Sequence, residues 1–105
     1  MEGREPVSPV YSAVMSLRAR VEMRESRPAA AERYLRRAAD WVAGLEPSRP
    51  MYLSTLTMRI AETLLAQGRD DDARTACLRS LLLAEQSGAE DLARRRQELE
   101  ELGCL

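Results

Sequence analysis

Prolines and glycines divide this chain into five segments of helical length, and their positions constrain the fold more than any other feature. Prolines stand at positions 6, 9, 28, 47 and 50, and glycines at 3, 44, 68, 88 and 103. Proline favours the first turn of a helix, and glycine commonly follows the last turn. These marks predict helices over residues 8–24, 28–43, 51–67, 71–87 and 90–102. The sequence lacks the strict alternation of a half-buried strand, so we predict an all-α fold.

Helical periodicity supports the first three segments. Apolar residues repeat every three or four positions on one face, at Val10, Val14, Leu17 and Val21, at Ala31, Leu35, Ala38 and Val42, and at Leu53, Leu56, Ile60 and Leu64. In the second segment Trp41 joins the apolar face, so we interpret it mainly as a core residue. Asp70 is expected to cap the fourth helix.

The last two segments differ in apolar character. The fourth is apolar over most of its circumference, which is typical of a central helix. The fifth has a narrow stripe at Leu92, Leu99 and Leu102, with Arg95 or Arg96 where another apolar residue would fall. The fifth helix would act as a lid on the stack. On its polar surface Arg94, Arg95 and Arg96 are expected to pair with carboxylates of the same helix, namely Glu98, Glu100 and Glu101.

Charge and residue usage exclude several functions. The 16 basic residues are all arginine and balance 17 acidic residues to a net charge of −1, whereas nucleic-acid binding normally needs a basic surplus. A GC-rich genome is a simpler explanation for the arginines. The chain has no histidine, which removes Ser-His and Cys-His catalysis and the commonest metal ligand. We predict neither catalysis nor a cofactor or metal site; a small helical enzyme or ligand carrier is the least favoured alternative.

Two cysteines are too few for the disulfide framework of a small secreted domain. Cys77 lies in an apolar helical run and is expected to be a small core residue, while Cys104 is expected to be an exposed free thiol. The N-terminus has no apolar signal core, and the longest apolar run, Leu81–Ala84, cannot span a bilayer. These observations predict a cytoplasmic protein without membrane contact.

The first and second predicted helices form one helical pair, and the third and fourth form another. The second pair carries a repeat-like pattern. Small or turn residues recur at helical spacing, at Ala61, Gly68, Ala73, Cys77 and Ser80, together with Leu64. Residues 54–87 thereby resemble a tetratricopeptide repeat, and the following segment is similar to longer variants in bacterial regulators and adaptors. The resemblance is weaker in the first pair. It implies one domain over residues 8–105, after a flexible tail at 1–7, built of two helical pairs and a C-terminal capping helix.

The resemblance also implies a partner-binding groove lined by the first helix of each pair. It would place Thr55, Met58, Glu62 and Leu65 toward the groove, with Ser12, Met15 and Glu22 as the counterparts in the first pair. Methionine suits adaptable recognition of a partner segment. Ordinary core packing is the alternative for Met15 and Met58.

The predicted function is a non-enzymatic adaptor or chaperone that holds a peptide or helix of a partner protein. The alternative is a regulatory or sensor module related to the repeats of bacterial transcriptional regulators. Because repeat arrays usually need three or more units to bury a continuous core, a homodimer through an open end of the stack is also expected.

Overall fold

The computed structural model describes residues 9–105, which form five α-helices and no strand within that range. The helices are α1 (Pro9–Arg24), α2 (Pro28–Ala43), α3 (Pro50–Ala66), α4 (Asp70–Ser87) and α5 (Ala89–Leu102). Each observed boundary lies within one residue of its prediction, and the all-α fold is confirmed. The tail predicted for residues 1–7 lies outside the described residues.

The turns follow the residues that predicted them. Pro28 and Pro50 begin α2 and α3, where the missing N–H has no helical partner to lose. At the end of α3, Gly68 adopts a φ of 73°, and the N–H of Arg69 reaches the carbonyl oxygen of Leu64 at 2.9 Å. This is a Schellman ending, which a left-handed glycine makes possible.

The expected Asp70 cap is wrong. Arg69 is the residue before α4, and it makes no side-chain capping hydrogen bond. Asp70, Asp71 and Asp72 occupy the first turn instead, where carboxylates interact favourably with the positive end of the helix dipole.

The helices pack in chain order, with α1 on α2, α2 on α3, α3 on α4 and α4 on α5. The main core joins the first four helices, through Ala19, Ala31, Leu35, Ala38, Val42, Leu56, Ile60, Leu64 and Ala73. A second cluster joins α3, α4, α5 and the segment after α5, through Ala61, Cys77, Leu99 and Cys104. The fifth helix therefore covers the end of the stack.

Small residues bring α3 and α4 together. Ala61, Ala73, Cys77 and Ser80 are fully buried, as expected for a close helix crossing. Ser54 donates to the carbonyl oxygen of Ser80 at 2.7 Å, and Ser80 donates to that of Ser54 at 2.8 Å. Both hydroxyls therefore satisfy backbone oxygens at the centre of the contact.

The apolar stripe of α1 does not face the core. Val10, Val14, Leu17 and Val21 are 63%, 38%, 55% and 50% exposed. The helix instead buries Ser12 and Ala19, with Met15 and Met23 packed beside them. Small side chains allow α1 to approach the rest of the array closely, and this contact determines the rotation of the helix.

The fourth helix is less enclosed than its composition predicts. Its contacts with α3 and α5 bury Ala73, Cys77, Ser80 and Ala84. Leu78 and Leu82 remain 49% and 61% exposed on the other side. The helix is therefore buried on one side and exposed to solvent on the other.

The two cysteines form a disulfide, which corrects the prediction that Cys104 is an exposed free thiol. Cys77 in α4 bonds Cys104 after α5, with a Cα–Cα distance of 6.2 Å, and Cys104 is 6% exposed. The turn at Gly103, with a φ of 92°, directs Cys104 back toward α4. This pairing removes one of the observations behind the cytoplasmic prediction, because disulfides persist mainly in oxidising compartments.

Glu32 ties the two helical pairs together. Its Oε1 accepts hydrogen bonds from Gln67 Nε2 at 2.9 Å and Arg69 Nη1 at 3.1 Å, and its Oε2 accepts one from Arg36 Nε at 2.7 Å. Burial would raise the pKa of Glu32, but the hydrogen bonds from Gln67 and Arg36 and the nearby arginine charges bring that pKa below its ordinary value.

Candidate functional site

A cavity of about 320 Å³ opens between α1 and α3, and we call it the α1–α3 cavity. Its apolar floor consists of Ala19, Met23 and Leu35. Its remaining lining residues are polar or charged, namely Ser16, Arg20, Arg24, Arg59 and Glu62. A concave site with an apolar floor and a few charged groups at its rim can hold one apolar side chain and orient the charges beside it.

The arginines of the α1–α3 cavity are exposed and available to a ligand. Arg20, Arg24 and Arg59 form no ion pair with a carboxylate of residues 9–105. Three guanidinium groups stand against the single carboxylate of Glu62, so the rim is positively charged overall. Guanidinium groups bind carboxylates through paired hydrogen bonds, which favours acidic ligands.

A second cavity, of about 300 Å³, continues the same face toward α5. It shares Arg59 and Glu62 with the α1–α3 cavity and adds Met58, Glu98, Glu101 and Leu102. The face formed by α1, α3 and α5 is therefore basic near α1 and acidic near α5. A long partner segment would meet opposite charges at its two ends.

A larger cavity, of about 470 Å³, lies between α2 and α4 over α3, and we call it the α2–α4 cavity. Two of its three arginines are already paired, because Arg36 and Arg69 both bond Glu32 and Arg69 also bonds Asp72 at 3.0 Å. Its charges are largely satisfied within the protein. Size alone therefore does not make this cavity the better candidate.

The three predicted groove residues of α1 lie in three different environments. Ser12 is fully buried and hydrogen-bonded to the hydroxyl of Tyr52. Met15 packs partly buried against the main core, as its alternative interpretation had it. Glu22 accepts a hydrogen bond from Arg27 at 3.2 Å. None of the three lines the α1–α3 cavity.

The predicted residues of α3 lie closer to the candidate face. Glu62 lines both cavities on that face, and Met58 lines the second. Thr55 lies beneath α5, where its hydroxyl accepts a hydrogen bond from Arg95 at 2.7 Å. Leu65 packs against both core clusters and lines a separate cavity near the C-terminus.

Arg95 occupies the apolar position that the α5 pattern left open, and it is 3% exposed. Its guanidinium also contacts the sulfur of Met58 at 3.1 Å. Burial lowers the pKa of this guanidinium from its ordinary value, while the charge of Glu98 opposes that shift. Arg94 pairs on the surface with Asp91 at 2.7 Å, not with the expected Glu98, Glu100 or Glu101. Arg95 is not part of the polar surface where it was expected, because its guanidinium is buried in the α3–α5 contact.

Sequence reasoning missed Arg20, Arg24 and Arg59, together with Ser16 and Met23. The rotation of α1 explains why three of these residues were missed, because turning the apolar stripe outward brings Ser16, Arg20 and Met23 to the cavity. Arg59 directly follows the predicted Met58, and its place at the shared edge of two cavities depends on α1 and α5. A signal for the rotation was present in Ser12 and Ala19, the small residues that face the core.

The other singled-out residues have structural contacts. Trp41 packs against the main core, and its ring centroid lies 6.3 Å from that of Tyr11. Among residues 9–105, no group of three or more potential metal ligands comes together. In the same range, no helix combines the length and apolar character that crossing a membrane requires.

No protein-family model matches this chain, and the comparisons with curated proteins and with solved structures also found no match. The tetratricopeptide-like character of residues 54–87 therefore stays a prediction from the sequence pattern.

Proposed function

We propose that this chain is a non-enzymatic interaction module, an adaptor or chaperone, that holds an acidic segment of a partner protein in the α1–α3 cavity. The observation that carries this proposal is the α1–α3 cavity, where an apolar floor lies beneath three arginines that form no ion pair within residues 9–105. The proposed module acts by binding its partner rather than by catalysing a reaction.

The cavity favours a particular ligand chemistry. One Leu or Met side chain of the partner would enter the floor between Met23 and Leu35, removing apolar surface from water. Carboxylates on either side of that residue would pair with Arg20, Arg24 and Arg59. The pairing fixes orientation and speeds encounter, while the buried side chain supplies most of the affinity.

Fluorescence anisotropy with labelled peptides tests this proposal. The probes are a set of short peptides with a central Leu or Met flanked by Asp and Glu, and a matched set with Asn and Gln in place of the acids. We expect micromolar binding of the acidic set, weakening as salt rises, and at least tenfold weaker binding of the neutral set.

Charge reversal locates the binding site. Arg59→Glu should abolish binding of the acidic peptides, because it places a repulsive charge at the edge shared by both cavities. Arg79→Glu is the matched control, since Arg79 lines the α2–α4 cavity and the change in net charge is the same. Equal loss in both variants, or tighter binding of the neutral peptides, would refute the proposed site.

A further inference from the structure

We propose that α1 pairs with α1 of a second copy of this chain in a parallel two-stranded coiled coil. The surface that carries this inference is the α1 seam, defined as Val10, Val14, Leu17 and Val21. All four side chains are exposed, from 38% to 63%. This interface lies beside the α1–α3 cavity and shares Arg20 with it, but the four apolar residues of the seam do not line that cavity, so the dimer does not depend on the proposed peptide binding.

The seam has the spacing of a heptad repeat. Its members follow one another by four, three and four residues, which places Val14 and Val21 at a positions and Val10 and Leu17 at d positions. Valine at a together with leucine at d favours parallel two-stranded coiled coils. The next d position is Arg24, so the apolar seam ends there, near the end of the helix.

Charges on the two sides of the seam are complementary between copies. Arg20 stands at a g position. Glu25 directly follows the last residue of α1, and its N–H bonds the carbonyl oxygen of Val21 at 3.1 Å, which continues the helical turn to the following e position. Residues at g and e of parallel helices form interhelical ion pairs. A parallel dimer therefore brings each Arg20 beside Glu25 of the other copy, in two symmetric pairs. Glu25 is 52% exposed, and within one copy it forms a surface ion pair with Arg27 at 3.0 Å. Because exposed ion pairs contribute little to stability, Glu25 can exchange Arg27 for Arg20 of the other copy at little cost in free energy.

The position of the seam also allows the dimer sterically. The core-facing residues of α1 are Ser12 and Ala19, and the seam lies on the opposite side of the helix. Two copies can therefore bring their α1 helices together while the rest of each domain points away. Packing on α2 already orders α1, so association carries no cost of helix formation.

The exposed pair on α4 is a weaker candidate for self-association. Leu78 and Leu82 are one helical turn apart and provide a single apolar step rather than a seam. They are useful as a control, because they offer a second exposed apolar surface on the same protein. Substituting Leu78 and Leu82 with charged residues removes exposed apolar surface from α4 and leaves α1 unchanged.

Sedimentation velocity and equilibrium of the full chain test the dimer. We expect a dimer at high micromolar concentration, and a monomer for the Val14→Glu/Leu17→Glu variant. The control Leu78→Glu/Leu82→Glu introduces the same charge and should remain dimeric. Circular dichroism and thermal unfolding of each variant establish that it is folded, which is expected because the substituted side chains are solvent-exposed.

Three further variants test the parallel orientation of the two α1 helices. Val14→Cys should form an intermolecular disulfide on mild oxidation, because identical a positions face each other in a parallel pair; mass spectrometry distinguishes it from the Cys77–Cys104 bond. Arg20→Glu should weaken the dimer about tenfold through two repulsive pairs, and Arg20→Glu/Glu25→Arg should restore it.

A wild-type monomer at high micromolar concentration would overturn the proposal. So would a dimer that survives Val14→Glu/Leu17→Glu or is lost in the α4 control. A monomer that binds anionic lipid vesicles through the seam would also overturn it, by assigning the seam to a membrane surface.

Discussion

Arg95 of α5 donates a hydrogen bond of 2.7 Å to the hydroxyl of Thr55 on α3, and this contact anchors the last helix to the stack. The same guanidinium touches Met58, a residue of the candidate face. Its Nε atom and Oε1 of Glu98 are buried without a hydrogen-bond partner within residues 9–105 and lie 3.5 Å apart. The last helix is thus held by a polar contact that is only partly satisfied.

Arg95→Ala should lower the free energy of unfolding by about 2–3 kcal/mol, because it removes both packing and a charged hydrogen bond at a buried position. Urea denaturation followed by circular dichroism measures the change. Arg94→Ala is the matched control on the exposed side of α5 and should cost at most about 0.5 kcal/mol. Similar losses in both variants would contradict the anchoring role of Arg95.

Glu32→Gln should destabilise the protein by about 1–2 kcal/mol at pH 7, because the carboxylate accepts hydrogen bonds from three side chains. The pKa of Glu32 is lowered in the folded state, so its contribution is fully present above the unfolded value near 4.5. That contribution is lost as the pH falls through the folded pKa.

Stability measured from pH 7 down to pH 3 checks this effect. The difference in unfolding free energy between wild type and Glu32→Gln should shrink as the pH falls below about 4.5. A difference that stays constant over this range would show that the charge of Glu32 contributes nothing.

Reduction of the Cys77–Cys104 bond should lower the free energy of unfolding by about 3–4 kcal/mol, the chain-entropy value for a loop of this length. The effect should concentrate on α5 and the C-terminal segment, which the bond ties to α4. Denaturation with and without a reductant measures the loss, and Cys104→Ser should reproduce it without reductant. A reductant effect of equal size in Cys104→Ser would show that the bond is not its cause.

Ser54 and Ser80 should be energetically coupled. Each single alanine variant is expected to cost about 1 kcal/mol, because a buried carbonyl loses its hydroxyl donor. Since the hydroxyls also contact each other at 3.0 Å, the double variant should differ from the sum of the singles by about 0.5 kcal/mol or more. A double-mutant cycle by chemical denaturation measures this term, and strict additivity would contradict the coupling.

The sequence predicted the helices well because proline and glycine act locally. Pro28, Pro50, Gly68 and Gly88 mark boundaries that depend on the backbone of a few residues. The rotation of α1 was not predictable in the same way, because Val10, Val14, Leu17 and Val21 form the most regular stripe in that segment yet face away from the core. Close packing of Ser12 and Ala19 determined the rotation, and the spacing of the apolar residues does not report which face of α1 packs on the core.

The candidate site was predicted only where the local pattern was strong. Met58 and Glu62 of α3 lie on the candidate face, whereas the predicted α1 residues followed a register that the tertiary packing changed. The Cys77–Cys104 pair shows the same limit. Residues 27 positions apart become neighbours only when α5 folds back on α4.

A two-dimensional ¹⁵N NMR titration of the full chain with the acidic Leu or Met peptides tests whether the α1–α3 cavity binds an acidic segment. We expect chemical-shift changes concentrated at Ser16, Arg20, Met23, Arg59 and Glu62, which together line the α1–α3 cavity. Shift changes centred on the α2–α4 cavity, or none with any peptide of the set at millimolar concentration, would contradict it.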